Sequence, residues 1–131
     1  MIKASVFGHA EHRKVGHPRV GEASKVPIFN HLNMVYTGSI WAGSQNQRLE
    51  VVFDTGSDWL VLETDLCSNC IAPFYKTEES KTIVIDSSST SSINYGSASL
   101  TGSEATDRIT VNMNTSIATA VKNMRWFAVK T

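Results

Sequence analysis

Leu49-Glu50-Val51-Val52-Phe53-Asp54-Thr55-Gly56-Ser57 is the stretch on which the reading of this chain turns. Apolar and β-branched residues up to Phe53 predict a strand. It runs directly into an acid set in a Thr-Gly-Ser turn. The apolar approach places the Asp54 carboxylate at the mouth of a sheet. Gly56 removes the Cβ that would block close backbone approach. Thr55 and Ser57 bring hydroxyls able to hold the carboxylate or the backbone that supports it. Asp54 is therefore the candidate catalytic group, with Thr55, Gly56 and Ser57 as its supporting loop. Such an acid activates water only where a second carboxylate shares its proton.

Working outward, Met34 to Trp41 is rich in β-branched and aromatic residues and ends in the turn material Gly43-Ser44-Gln45-Asn46. With Gln47 to Phe53 it makes a hairpin that delivers Asp54. Trp59-Leu60-Val61-Leu62 reads as a short buried strand, followed by a loop holding Cys67, Cys70 and Pro73. Thr82 to Ile85 predicts another strand. Asp86 through Ser92 is almost wholly Ser and Thr and reads as loop or turn. Ile93 to Gly102 reads as a hairpin with small residues at its tip. Arg108 to Met113 and Ile117 to Val129 supply closing strands, although Ile117 to Val121 also suits a helix. Short strands, frequent turns and no long helical stretch argue an all-β domain without internal repeats.

The 131 residues make one domain in size, with a modest core. No apolar run approaches the length of a membrane helix, and Ile2 to Ala10 lacks the apolar core of a standard secretory signal. The formal charge is zero but unevenly spread. Residues 1–30 hold Lys3, Arg13, Lys14, Arg19 and Lys25 against Glu11 and Glu22, and His9, His12, His17 and His31 lie within or beside them. Residues 31–131 carry ten acids against seven bases. A basic, histidine-bearing extension thus precedes a mildly acidic domain, either as a solvated tail or as a segment lying on an acidic surface until pH falls. The basic run is short and lacks interleaved aromatics, so no nucleic acid is expected as a partner.

Three further features stand in order around Asp54. Tyr36-Thr37-Gly38-Ser39-Ile40-Trp41-Ala42-Gly43-Ser44-Gln45-Asn46-Gln47 precedes it by one hairpin, Cys67 and Cys70 follow it, and Tyr95-Gly96-Ser97-Ala98-Ser99-Leu100-Thr101-Gly102 comes about forty residues later. In this arrangement, from about Asn30 to Val129, the chain resembles the N-terminal lobe of pepsin-like aspartic proteases. The resemblance implies a partial acid-protease lobe, its mixed antiparallel sheets carrying an active-site loop and a flap hairpin. It implies an aspartic-type endopeptidase in which Asp54 is the first-lobe catalytic aspartate and Thr55 braces the catalytic loops. Ser57 is expected to bond the carboxylate, and Tyr95, Gly96 and Ser97 to form the flap tip that holds a peptide by strand addition. The chemistry rests on two aspartates that cannot both ionise cheaply.

Cys67-Ser68-Asn69-Cys70 leaves a redox pair and a local disulfide open from the residues alone; Pro73 and the strand-and-loop context disfavour the former. The family resemblance implies a small disulfide loop here, usually of longer spacing, and hence an oxidising compartment. A zinc site would need two more ligands, and the histidines are remote in sequence. No metal or cofactor is expected. Asn114-Thr115-Ser116 is a glycosylation sequon in keeping with a secreted or vacuolar/lysosomal location.

The chain also departs from the family pattern. Of Asp54, Asp58, Asp65, Asp86 and Asp107, only Asp54 precedes Thr-Gly. The apolar-plus-Gly segment expected after Phe127 is absent, and the text stops at Thr131, short of the end of a lobe. Val61 stands where relatives commonly place a tryptophan that bonds the flap tyrosine; Trp59 is two positions away. The expectation is half of a catalytic unit, inactive alone, its second aspartate supplied by a missing C-terminal lobe. The alternatives are a retroviral-type homodimer in which each chain donates Asp54, and a non-catalytic peptide-binding half-lobe. Residues 1–29 are expected to be the remnant of a basic prosegment, with the mature domain at 30–131.

Overall fold

Residues 3–5, 26–71, 74–96, 98–111 and 120–131 are described by the computed structural model of the chain. Alternation of side chains along the strands organises it. In β3 (Val35–Ala42), Gly38, Ile40 and Ala42 point inward while their neighbours stay partly exposed. In β4 (Gln47–Asp54), Leu49 and Val51 do the same. The two pair antiparallel in the register Ile40↔Leu49, forming the hairpin expected from the sequence. Its turn uses Gly43 at φ 77° and Asn46 at φ 51°, residue types that tolerate the left-handed region.

A short strand β1 (Lys3–Ser5) runs parallel to β4, and β2 (Phe29–His31) pairs antiparallel with β3. The parallel strand β5 (Val61–Glu63) lies beside β8 (Ala120–Val129). Between them in sequence, β6 (Val84–Tyr95) and β7 (Ala98–Thr110) make a long antiparallel hairpin. The sheet path is β1-β4-β3-β7-β8-β5, with β2 added to β3 and β6 to β7. Its ends, β1 and β5, approach each other, so the sheet curls toward closure. Among the described residues the one helical element is a 3-10 turn at Thr77–Glu79, whose first amide and Thr77 hydroxyl are held by the Asp65 carboxylate. No described helix is long and apolar enough to cross a membrane. The fold is all-β, as expected of the partial lobe that the resemblance implies.

Phe127, Val129 and Val61 face one side of the β8–β5 pair, and Trp126, Ala128 and Leu62 face the other. All six are buried. Both faces are covered because a main core of Ile40, Leu49, Val51, Tyr75, Ile109 and Trp126 fills one side. A smaller cluster, with Trp59, Ile93, Tyr95, Leu100 and the cysteines packed against it, fills the other. Gly102 in β7 permits the close approach of β8, since a Cβ there would overlap the Ala128 carbonyl oxygen.

Two sequence expectations are corrected. Asp86 through Ser92 is strand, not loop: it belongs to β6, with a register irregularity between Ile85 and Thr90. There the Asp86 carboxylate accepts bonds from the Ser88 amide (2.9 Å) and hydroxyl (2.6 Å), and Ser89 Oγ accepts the Glu104 amide (3.1 Å). Side-chain oxygens thus satisfy groups that an irregular ladder leaves open, which is how a hydroxyl-rich run stays extended. The Trp59–Leu62 strand is shifted to Val61–Glu63. Of the segment expected as the last strand, residues 120–129 form β8, and Ile117 lies outside the described residues.

Candidate active site

Asp54 closes β4 and is half-buried, with Thr55 and Gly56 exposed in the turn beyond it. The Gly56 amide donates to Asp54 Oδ1 at 2.9 Å, fixing one carboxylate oxygen against its own loop. A Cβ at Gly56 would lie 3.3 Å from that oxygen, closer than side chains normally sit. β1 runs beside this strand, with Ser5 opposite Asp54.

Ser57 is turned inward and 7% exposed. Its Oγ lies 3.1 Å from the Tyr95 hydroxyl, with longer contacts to the Trp59 amide (3.5 Å) and carbonyl (3.4 Å). The resemblance leads one to expect this hydroxyl on the Asp54 carboxylate; among the described residues it serves Tyr95 and Trp59 instead. Tyr95 ends β6 and packs on Val61, Phe127 and Val129. Trp59 stands edge-on to Phe127, centroids 6.4 Å apart at 66°, so its ring belongs to the same cluster. Gly96 turns the hairpin tip at φ 53°. Ser97 and Asn114 lie outside the described residues. The Asp54 turn and Tyr95, remote from it in sequence, thus meet through Ser57. Cys67 and Cys70 are joined in a disulfide and pack against the Phe127 cluster.

A second acidic centre escaped the sequence reading. Asp107 is fully buried, and its carboxylate receives Tyr75 Oη (2.6 Å), Ser80 Oγ (2.8 Å), Thr82 Oγ1 (2.6 Å) and the Arg108 amide (2.7 Å). Burial pushes its carboxyl up, but the Thr82, Tyr75 and Ser80 hydroxyls and the Arg108 amide outweigh it and hold the group below the usual carboxylate range. The Tyr75 phenol is pushed well up, by burial first and then by its bond to Asp107. Tyr75 also stands edge-on to Trp126 at 5.3 Å. The cluster ties the Tyr75–Thr82 segment, which leads into β6, to β7. One signal was available: Asp107 shares the inward register of Ala105 and Ile109, an acid at a core position. Nothing in the sequence names its partners, twenty-five or more residues upstream. Among the described residues no group of three or more His, Cys, Asp or Glu side chains is placed to hold a metal ion.

Comparison with known proteins agrees with this architecture. The sequence profile of the family described as "Eukaryotic aspartyl protease" matches residues 35–127. Cathepsin E of Rattus norvegicus is 36% identical over 88 residues, covering 65% of this chain and 22% of the relative. Aspartic proteinase A2 of Arabidopsis thaliana is 35% identical over 95 residues, covering 70% and 18%. Vacuolar protease A of Neurospora crassa is 36% identical over 88 residues, covering 66% and 22%. The chain spans about a fifth of the length of these curated relatives.

Proposed function

Because this chain belongs to the eukaryotic aspartyl protease family, we propose that it supplies one half of an aspartic endopeptidase, with Asp54 as its catalytic carboxylate. The observation that carries this reading is the convergence on one turn of three things. The Asp54 carboxylate is oriented by the Gly56 amide, an inward Ser57 follows it, and a long hairpin brings Tyr95 within 3.1 Å of Ser57. A peptide laid between hairpin and turn would add a strand to the hairpin and bring its scissile carbonyl toward Asp54.

The chemistry needs a second carboxylate, because a pair shares one proton. The charged member polarises water for attack on the carbonyl carbon; the neutral member donates to the developing oxyanion and then helps protonate the departing amine. Only Asp54 is followed by Thr-Gly in this sequence, so the partner carboxylate comes from a second lobe or a second chain. Thr55, exposed beside Asp54, is suited to brace that partner loop. The basic segment 1–29 is read as a prosegment remnant that covers the site, supported by the pairing of β1 with β4 beside Asp54. A secreted or vacuolar/lysosomal setting is proposed, in keeping with the disulfide and the kinds of relative matched.

The test is cleavage of a denatured protein at acidic pH, with sizing and titration of a dyad-directed transition-state inhibitor. The chain is assayed alone and mixed with a C-terminal lobe carrying the second Asp-[Ser/Thr]-Gly. Inhibitor binding and cleavage that need the added lobe, and that fall at least about a thousandfold in Asp54→Asn, are expected. A dimer of the chain that cleaves unaided moves the second carboxylate to a partner copy. Peptide binding without cleavage in any combination, or cleavage that survives Asp54→Asn, overturns the proposal.

A further inference from the structure

We propose that the Cys67–Cys70 disulfide is a redox switch on the support of the β6–β7 hairpin, closed by oxidation and opened by a dithiol reductant. The switch is a property of this chain and holds whatever the role of Asp54.

The bond joins residues three apart, so only Ser68 and Asn69 lie between its ends. A loop that short removes little freedom from the unfolded chain, which makes the bond a weak staple for the fold as a whole. Its place is nevertheless central to one element. Both cysteines pack on Val61, Phe127 and Val129, the cluster on which Ile93 and Leu100 of the hairpin also rest. Among the described residues, the last backbone bonds from β7 to the end of β8 are those of Thr101 with Lys130 and Thr131. Beyond them the hairpin is seated on this cluster through Ile93 and Leu100.

A reductant can reach the bond. Both cysteines are partly exposed and Ser68 and Asn69 are exposed, while Leu66 and Ile71, 46% and 93% exposed, flank them with apolar surface. Accessible disulfides are the ones that exchange. One thiolate of the dithiol attacks Cys70 Sγ to form a mixed disulfide, and the Cys67 sulfur leaves with the bonding electron pair and takes up a proton. The second thiolate then closes the reductant's own disulfide and releases Cys70, which is protonated in turn. Two electrons pass to the chain, with the two protons lost by the attacking thiols. The Cys67 thiol so formed has the Asn69 amide oxygen as an acceptor 3.4 Å away. The Cys67 and Ser68 amides keep their bonds to the Thr64 and Lys130 carbonyls, each 3.0 Å. Cys67 therefore stays in place while Cys70 is released, and the cluster under the hairpin loses part of its cover. Oxidising surroundings keep the switch closed.

The test uses the whole chain and requires no proteolytic activity. Folded protein is held in dithiothreitol at neutral pH, its thiols are counted by alkylation and mass spectrometry, and amide hydrogen exchange is followed in parallel. Two thiols are expected without denaturant, and oxidised glutathione should remove them again. In the reduced chain, exchange at Ile93, Asn94 and Leu100 should speed up about fivefold, the effect of uncovering a contact the size of a methylene group. Ala105 and Trp126 in the sheet should stay slow. Cys67→Ala/Cys70→Ala should exchange like the reduced chain and ignore dithiothreitol; if it does not fold, the reduced unsubstituted chain decides alone. Thiols that appear only in urea, hairpin exchange unchanged by reduction or by the double substitution, or an acceleration shared equally by Ala105 and Trp126 would overturn the switch. Failure of the switch leaves the Asp54→Asn assay untouched, and failure of that assay leaves the exchange result standing.

Discussion

Asp107 shows what a buried acid needs in order to stay ionised. Three hydroxyls and one amide surround its two oxygens, and together they overcome a burial that would otherwise favour the protonated form. Removing the acid strands Tyr75, Ser80 and Thr82, so Asp107→Ala should cost roughly 3 kcal/mol of stability by urea denaturation. The pH dependence follows from the direction of the shift. A carboxyl depressed in the folded state stabilises fully above its unfolded pKa and loses that contribution as pH falls through the folded value. Asp107→Asn should therefore be clearly less stable than the parent at pH 6, and the gap should narrow only below about pH 4. A constant gap down to pH 2 would show that Asp107 is not held ionised. A lobe proposed to work in acid thus carries at its centre a carboxylate that resists protonation.

Among the elements, the β6–β7 hairpin is where the sequence misled. A run of Ser and Thr reads as loop because such side chains compete for backbone hydrogen bonds. In β6 the same competition works for the strand: Asp86 and Ser89 supply oxygens where the register slips. Asp86 bonds Ser88 within β6, whereas the partner of Ser89, the Glu104 amide, lies on β7, and of that contact the local sequence holds no trace. Two glycines of this hairpin separate packing from backbone freedom. Gly102→Ala would drive a methyl into the Ala128 carbonyl and the Phe127 ring, and should cost roughly 3 kcal/mol or more in urea denaturation. Gly96→Ala meets nothing within 4 Å, so only its positive φ opposes it. That change should cost about 1 kcal/mol. Equal effects at the two sites would contradict the close β7–β8 approach.

At the scale of the molecule, the first residues of the chain are part of the sheet. β1 covers the outer edge of β4 at Val52, Phe53 and Asp54, in a segment that is basic while residues 31–131 are acidic. Deleting residues 1–25 should speed amide exchange along Val52–Asp54 while leaving Ile109 and Trp126 slow. In the intact chain, exchange at those β4 amides, corrected for the intrinsic pH effect, should rise between pH 7 and pH 4. Over that range the acidic body loses carboxylate charge and its attraction for the extension weakens. Protection of β4 that is indifferent to both deletion and acid would remove the case for residues 1–29 as a covering segment. Processing between about Arg13 and Asn30 at low pH is the corresponding outcome in a full-length protein.

The sequence alone determined the all-β class, the β3–β4 hairpin and the place of Asp54 at a strand end, because these depend on patterns a few residues long. Ordered motifs around Asp54 were enough for the family resemblance. Tertiary structure alone decided which remote groups meet. Ser57 faces Tyr95, Asp107 gathers Tyr75, Ser80 and Thr82, and β1 lies on β4. Such contacts are fixed by strand order and by which strands lie against one another; alternation along the chain gives the inward face of each strand but does not name its neighbours.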